Sequence, residues 1–373
     1  MIIGVDGNEA NIQMRVGVNE YLFRLLHEFA QTAHSEQEFV VFLKNEPLSE
    51  MPAPSEYFRY IVIGPSRLWL HLGLTRYLAL HPNVCDVFFA PAHYSPLICP
   101  VPLVVTIHDL AYEMFPDDFL KKDRYKLSDW TKRSVKKARA VIAVSENTKK
   151  DITQIYHTNE QKIRVVYNGF TPPKKEASTT VVTDVLKKVG VETNGYIVAL
   201  GTLQPRKNIT FLIDAYQQLR KQDAQFAASH KLVIIGKQGW KYKKILSSKY
   251  TKDKTIIFTG YVSDLEKNIL LRQAHSFVFP SLYEGFGIPL LEAMANRCPV
   301  LCSNTSSMSE IGVDACLYFD PTSQQSFLKQ FNALKNKKVR SKLIRKGANR
   351  THDFSWSKCS KETLQVISKV VKK

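Results

Sequence analysis

The sequence predicts an α/β protein made of two doubly wound domains, each built on a parallel sheet, and three observations predict it. Short Val/Ile-rich runs alternate with longer amphipathic segments along nearly the whole chain. A Pro- and Lys-rich stretch, FTPPKKEASTT, interrupts that alternation near the middle. The length of 373 residues suggests two domains at ~100–200 residues per domain. Apolar runs bounded by turn residues and separated by helices read as strands of a parallel sheet buried on both faces.

In order, the first half reads IIGVD as a strand and VNEYLFRLLHEFAQ as a helix, followed by the strands FVVFL, VFFAP and LVVTIHD. A long basic helix then ends near the strand AVIAVS, and IRVVYNG closes the series. After Asn168-Gly169, the pair Pro172-Pro173 can continue neither a helix nor a central strand, which marks an interdomain linker. A second series follows: YIVALGT, KLVIIG, TIIFTGYV, SFVFPS and PVLCS. The expected architecture is two Rossmann-like domains facing a central cleft, residues 1–171 and 172–353. The final segment, FSWSKCSKETLQVISKVVKK, reads as an amphipathic helix with a basic tail that Trp356 anchors against a domain. Ligands of such sheets gather at the carboxyl ends of the strands.

Lys and Arg outnumber Asp and Glu by 52 to 34, a formal charge of +18. A field of that sign attracts phosphates, nucleic acid or anionic lipid without choosing among them. The six cysteines, Cys85, Cys99, Cys298, Cys302, Cys316 and Cys359, form no metal-ligand pattern and read as reduced, mostly buried thiols. MIIGVDGNEANIQ opens on a short apolar strand, unlike a signal peptide. No run reaches the ~20 apolar residues of a membrane span. The expected location is the cytoplasm, with peripheral contact on the inner face of the membrane.

The stretch from Phe277 to Gly312 carries the most chemistry. A strand ends near Pro280, a turn holds Glu284 to Gly287, and Pro289 falls near the first helical position, where its missing N–H costs nothing. The helix amino terminus then offers unpaired N–H groups and a partial positive charge to a diphosphate, and Gly285 and Gly287 allow the backbone to approach closely. Glu284 and Glu292 flank that point, suited to the hydroxyls at the two ends of a sugar nucleotide. Alone, Glu284 would read as an electrostatic cap and Glu292 as a solvated surface residue.

Two further clusters change that balance. In LGTLQPRKNITFLIDAYQQL a strand ends at Gly201, and Arg206 and Lys207 lead into a helix. Two such cations could neutralise a leaving diphosphate, although the pair by itself would be solvated loop. In IIFTGYVSDLEKNILLRQA the residues Gly260, Tyr261 and Val262 end a strand where backbone groups could hold a base, while Ser263 or Asp264 caps the next helix. In the first half, His108 and Asp109 end a strand and stay open to a structural and a functional reading. Gly17, between strand and helix, could offer N–H groups to phosphate or acceptor.

The run from Glu284 to Glu292, a Glu-x7-Glu pattern with the lead-in PSLYEGFG, resembles the mark of the retaining, GT-B-fold glycosyltransferase family 4. Gly201 to Asn208, Gly260 to Val262, Thr106 to Leu110, Ala143-Val144-Ser145 and Asn168-Gly169 are similar to that family in the same order. The resemblance implies a mannosyltransferase-like enzyme that moves a hexose from a nucleotide-diphosphate sugar, GDP-mannose or a UDP-sugar, to a hydroxyl of a glycan or lipid-linked acceptor. Front-face displacement would retain the anomeric configuration. Glu292 would bind the donor ribose, Glu284 the transferred sugar, and Arg206 with Lys207 the diphosphate. Gly17 would close over the phosphates and His108, beside Asp109, would contact the donor sugar. Gly285, Phe286, Gly287, Ile288, Tyr261 and Val262 would complete the donor site. Neither a metal nor a cofactor other than the donor is expected, since the family usually works without a metal and the chain has no Asp-x-Asp triplet. In the family the last helix crosses back to the first domain, which assigns that place to residues 354–373. One departure is Arg297, where members commonly have Gly; that position permits a positive φ at a helix end, so Arg297 implies a changed cap or modest strain.

Two other classes compete. A sugar-nucleotide epimerase or hydrolase on the same scaffold would lack the Glu-x7-Glu match. A non-enzymatic nucleic-acid binder would need a recognisable module and aromatics alternating with cations, neither of which is present, so no nucleic-acid partner is expected. In KKDRYKLSDWTKRSVKKARA, Lys121, Lys122, Arg124, Lys126, Lys132, Arg133, Lys136, Lys137 and Arg139 crowd one segment of the first domain, interrupted by Asp123 and Asp129. That run reads either as a solvated helix face or as a patch for an anionic membrane surface. The segment RLWLHLGLTRYLALHP, Arg67 to Pro82, would then add a shallow apolar contact alongside its core packing.

Overall fold

The structure, a computed structural model, describes residues 1–64, 68–173, 177–239 and 253–371. Residues 174–176 of the expected linker and Arg67 of the apolar segment lie outside them. The chain forms two compact units: Met1–Met114, Leu120–Gly169 and Phe354–Lys373 make the first, and Phe115–Phe119 with Phe170–Asp353 the second. The short segment Phe115–Phe119, read from sequence as first-domain, therefore clusters with the second unit.

The first unit holds a seven-stranded parallel sheet of strands β1 (Ile2–Asp6), β2 (Glu38–Leu43), β3 (Phe58–Val62), β4 (Val87–Ala90), β5 (Leu103–Ile107), β6 (Ala140–Ala143) and β7 (Ile163–Val165). Their spatial order is β3-β2-β1-β4-β5-β6-β7, so the order reverses between β1 and β4. Central strands are buried along their length, as β-branched and aromatic runs covered on both faces should be. Strand β3, absent from the sequence reading, sits at the edge with only Phe58 buried and with Arg59 and Val62 exposed, so FRYIV carries no continuous apolar run.

The helix Val18–Thr32 lays Tyr21, Leu22, Leu25, Leu26 and Phe29 on this sheet, one face at helical spacing. The carboxyl-terminal helix Trp356–Val371 joins the same core through Cys359, Val366, Ile367 and Val370. Gly169 has a specific cause here: a Cβ on it would collide with the ring and Cα of Trp356, so only glycine lets the helix dock this closely.

The second unit holds β8 (Tyr196–Leu200), β9 (Lys231–Ile235), β10 (Ile256–Gly260), β11 (Ser276–Phe279), β12 (Val300–Ser303) and β13 (Cys316–Phe319), all parallel, in the order β10-β9-β8-β11-β12-β13. Its switch lies between β8 and β11. Strand β13 was also missed: it is a four-residue edge strand with a half-buried middle. The helix Ile209–Gln222 buries Leu212, Ile213, Tyr216 and Leu219 against Phe327 and Phe331 in the core.

All six cysteines are free thiols, five of them buried and Cys99 partly so. Arg297 adopts the strained conformation its position implies, with φ 57. It closes the helix Ile288–Ala295: its N–H bonds the Met294 carbonyl at 3.0 Å and the Cys298 N–H bonds that of Ala293 at 3.0 Å, a Schellman cap with arginine in the glycine place. Among the described residues no helix is long and apolar enough to cross a membrane.

Candidate functional site

The chemistry suggested by the sequence gathers at carboxyl ends of strands in the second unit. Beyond β11 the chain turns through Glu284 to Gly287 into the helix Ile288–Ala295. Gly287 occupies the N-cap with φ 102, a conformation that costs a side chain dearly, and Pro289 lies in the first turn. Because glycine has no side chain, no side-chain cap occupies this helix start.

The turn is held from two sides. The Glu284 N–H donates to Ser306 Oγ at 2.9 Å, and Ser307 Oγ donates to the carbonyls of Glu284 and Phe286 at 2.9 and 3.0 Å. On the other side the Leu282 N–H donates to the Arg206 carbonyl at 2.8 Å, and Arg206 Nη1 to that of Tyr283 at 2.9 Å. Ser306 and Ser307 were missed from sequence, since nothing in SNTSSMSE distinguishes two loop serines.

The two cations after β8 face the motif. Lys207 Nζ lies 2.5 Å from Glu284 Oε1 and Arg206 Nη1 3.5 Å from Oε2. Glu284 is only 8% exposed, so the carboxylate is largely desolvated. Burial pushes its pKa up, but Lys207 and then Arg206 outweigh burial and hold it below its ordinary value. A third carboxylate orders this turn: Asp118 Oδ2 accepts the Arg206 N–H at 3.0 Å, a contribution from a segment far away in sequence.

Glu292, one turn and more into its helix, meets Lys267 Nζ at 2.7 Å. Lys267 belongs to the helix Asp264–Arg272, which Ser263 caps by accepting the Glu266 N–H while Glu266 returns to the Ser263 N–H. Ser263 therefore performs the capping role read from sequence, whereas Asp264 bonds Lys267 at 2.7 Å. Burial works against the Lys267 charge, but Glu292 and Asp264 outweigh it and hold the ammonium above its ordinary value. Tyr261, at the end of β10, presents a 67% exposed ring with Lys237 Nζ 4.5 Å from its centroid. Val262 follows it, immediately before the Ser263 cap.

The remaining expected residues belong to the first unit. Gly17 is the N-cap of the helix Val18–Thr32, with φ 53. His108 donates from Nε2 to the Pro91 carbonyl at 2.8 Å and stacks edge-on against Tyr21 at 4.7 Å. Burial, with neighbouring His93, pushes its pKa down to about 3, so it is a neutral imidazole. Asp109 Oδ1 accepts the Ala111 N–H at 3.0 Å and starts a short helix. His93, absent from the sequence reading, lies 5.4 Å from His108 ring to ring, holds φ 62, and buries an Nδ1 without a partner.

Comparison with known proteins agrees in both halves. A family model described as Glycosyltransferase Family 4 matches residues 16–173, and one described as Glycosyl transferases group 1 matches residues 183–350. O-antigen chain mannosyltransferase B of Escherichia coli is 30% identical over 265 residues, 70% of this chain and 68% of its own length. O-antigen chain mannosyltransferase RfbU of Salmonella typhimurium is 31% identical over 235 residues, 62% of this chain and 60% of its own length. Among solved structures, Anabaena HepE in complex with UDP and glucose superimposes with a TM-score of 0.72 at 17% identity, covering 98% of this chain and 99% of that one. WaaG, a glycosyltransferase involved in lipopolysaccharide biosynthesis, gives 0.70 at 18% identity, covering 99% and 100%.

Proposed function

The chain belongs to glycosyltransferase family 4, on the GT-B fold, and from that premise we propose that it moves a hexose from a nucleotide-diphosphate sugar to a hydroxyl of a glycan or lipid-linked acceptor, retaining the anomeric configuration and using no metal. A mannosyl donor, GDP-mannose, is the first to test, because the O-antigen relatives are named mannosyltransferases; UDP-sugars come second, since HepE was solved with UDP.

The observation that carries this reading is a buried Glu284 facing Lys207 at 2.5 Å and Arg206 at 3.5 Å beside an uncapped helix start. In the proposed site the two cations and the helix terminus balance the charge that develops on the leaving diphosphate. Glu284 accepts from hydroxyls of the transferred sugar and Glu292 from the ribose, while Gly285, Phe286, Gly287 and Ile288 bring backbone to the phosphates. Tyr261 and Val262 take the base side. Because the leaving diphosphate can itself accept the acceptor proton, no separate base is needed. For Gly17 the proposed role is phosphate binding, and for His108, beside Asp109, contact with the donor sugar.

One helix of the first domain carries a dense run of cations. Lys132, Arg133, Lys136 and Lys137 are all exposed on the helix Lys121–Lys137, and Lys137 donates to the Leu97 carbonyl beside a 60% exposed Ile98. Cations flanking exposed apolar side chains suit an anionic bilayer surface, at about 1 kcal/mol per cation. The enzyme would then work from the inner face of the membrane on a lipid-linked acceptor.

Thermal unfolding with GDP, UDP, ADP and their sugars tests the donor assignment: a ligand at ~100 Kd stabilises by about 2.7 kcal/mol. Absence of protection by all of them overturns the reading. Proton NMR of the product's anomeric centre tests retention, and an inverted linkage overturns that part.

A further inference from the structure

Glu292 comes with a partner that its motif does not contain. Lys267 Nζ lies 2.7 Å from Glu292 Oε1 and 2.7 Å from Asp264 Oδ1, with both side chains of the Lys267–Glu292 pair mostly enclosed, at 20% and 17% exposure. The next residue, Asn268, accepts at Oδ1 from Asn296 Nδ2 at 2.8 Å, and Asn296 Nδ2 also bonds the Glu292 carbonyl at 2.9 Å. Two successive residues of one helix thus grip the helix that carries Glu292. Glu266, on the same helix, is already taken by Lys188 at 2.6 Å and does not compete for Lys267.

An ammonium has three N–H donors, and two are directed at Asp264 and Glu292. The third, and Glu292 Oε2, take no protein partner among the described residues. A lone carboxylate can only accept, so it meets the donating side of a vicinal diol and nothing more. A carboxylate with an ammonium fixed against it meets both sides: it accepts from the hydroxyls while the ammonium donates to one of their oxygens.

We infer that Lys267 is a ribose-recognition residue, which together with Glu292 clamps the 2′,3′-diol of a ribonucleoside diphosphate and makes the donor site discriminate against 2′-deoxyribonucleotides. The inference rests on the donor-site reading above. It separates this role from mere bracing of the two helices, because a brace has no means of sensing a 2′-hydroxyl.

Calorimetric titration of the full chain with UDP, GDP and ADP and with dUDP, dGDP and dADP tests it, using wild type, Lys267→Met, Lys267→Arg and Glu292→Ala. A site built to bond a hydroxyl rejects the analogue lacking it, so the wild type should prefer the ribo form of its nucleotide by about tenfold or more. Lys267→Met should lower ribo affinity by about tenfold and leave deoxy affinity within about twofold, collapsing the ratio. Lys267→Arg, which keeps the charge, should retain part of the preference. Lys267→Gln serves in place of Lys267→Met if that variant fails to fold. A ribo-to-deoxy ratio unchanged in Lys267→Met, whatever its melting temperature, overturns the inference, as does a wild type without preference. Glu292→Ala separates the two levels: unchanged nucleotide affinity in that variant overturns the donor site and the clamp together, whereas weakened affinity beside an unchanged Lys267→Met ratio overturns the clamp alone.

Discussion

Lys207→Met removes the nearer of two cations from a carboxylate that is 8% exposed, and its cost should depend on pH in a particular direction. Breaking a buried ion pair by deleting one partner costs ~3–5 kcal/mol, because the other charge is left uncompensated. Arg206, at 3.5 Å from Glu284, stays in place, which puts the expectation near the lower end, about 3 kcal/mol at pH 7. In the wild type the Glu284 carboxyl is held below its ordinary 4.5, so its contribution is fully present above 4.5 and is lost as pH falls through the lowered value. In the variant, burial acts with less opposition and raises the carboxyl above 4.5, so stability is instead lost as pH rises through that raised value. The gap between the two proteins should therefore widen as pH rises from below 4.5, since one carboxyl is held under that value and the other above it. Urea unfolding at a series of pH values reads it, and Glu284→Gln supplies the control. With no buried carboxylate to abandon, Lys207→Met in the Glu284→Gln background should cost at most about 1 kcal/mol. Equal cost at pH 4 and 7, or equal cost in both backgrounds, would refute the reasoning that these cations exist to hold Glu284 ionised.

Glu292→Ala should weaken nucleotide binding by about 1.5–3 kcal/mol, whereas Glu284→Ala should chiefly lower turnover; wild-type kinetics in both variants removes the site assignment. Turnover should survive EDTA if Arg206 and Lys207 balance the diphosphate charge as proposed; loss restored by Mg²⁺ or Mn²⁺ contradicts it. Arg297→Gly should raise the melting temperature, because Arg297 is exposed and holds φ 57. Relief of the left-handed strain, less the added freedom of the unfolded chain, leaves about 0.5–1 kcal/mol, or roughly 1–4 °C; no rise means that the arginine is not strained. Reversing Lys132, Arg133, Lys136 and Lys137 to Glu should abolish sedimentation with phosphatidylserine vesicles at low salt while sparing donor binding, and unchanged sedimentation leaves that helix face merely solvated.

The two sheets were legible because their central strands are covered on both faces and so appear as unbroken Val/Ile/Phe runs. Strands β3 and β13 were not: FRYIV is broken by an exposed Arg59, and CLYF is four residues long with a half-buried middle. The cap at Arg297 could be read in advance only through the resemblance, which places glycine where this chain has arginine at a helix end. Gly169 could be noticed but not explained, because its cause is Trp356, on the other side of the second domain in sequence. The same distinction runs through the site. Each chemical residue following a strand could be located, since strand ends are visible in sequence. Which of them pair could not be: Lys207 and Glu284 stand 77 positions apart. Lys267 went unnoticed because Ser263 and Asp264 accounted for the start of its helix, and its partner Glu292 stands on another helix. His93 gave no signal at all; its strain and its unpaired nitrogen exist only in the folded backbone.

These pairings bear on how a sugar nucleotide would be recognised. Each carboxylate of the Glu-x7-Glu motif is matched by a cation from another element, Glu284 by Lys207 and Arg206, Glu292 by Lys267. The cations proposed for the diphosphate are therefore the ones that keep Glu284 ionised in its buried position. A diphosphate entering alone would draw Lys207 and Arg206 toward itself and leave a desolvated carboxylate with fewer partners, which is costly. A diphosphate carrying a sugar brings hydroxyl donors to the same carboxylate and repairs that loss. On this arrangement the sugar and the diphosphate are not recognised additively: the hydroxyls that reach Glu284 are what free its cations to stabilise the leaving group, so part of the binding energy appears only when both halves of the donor are present.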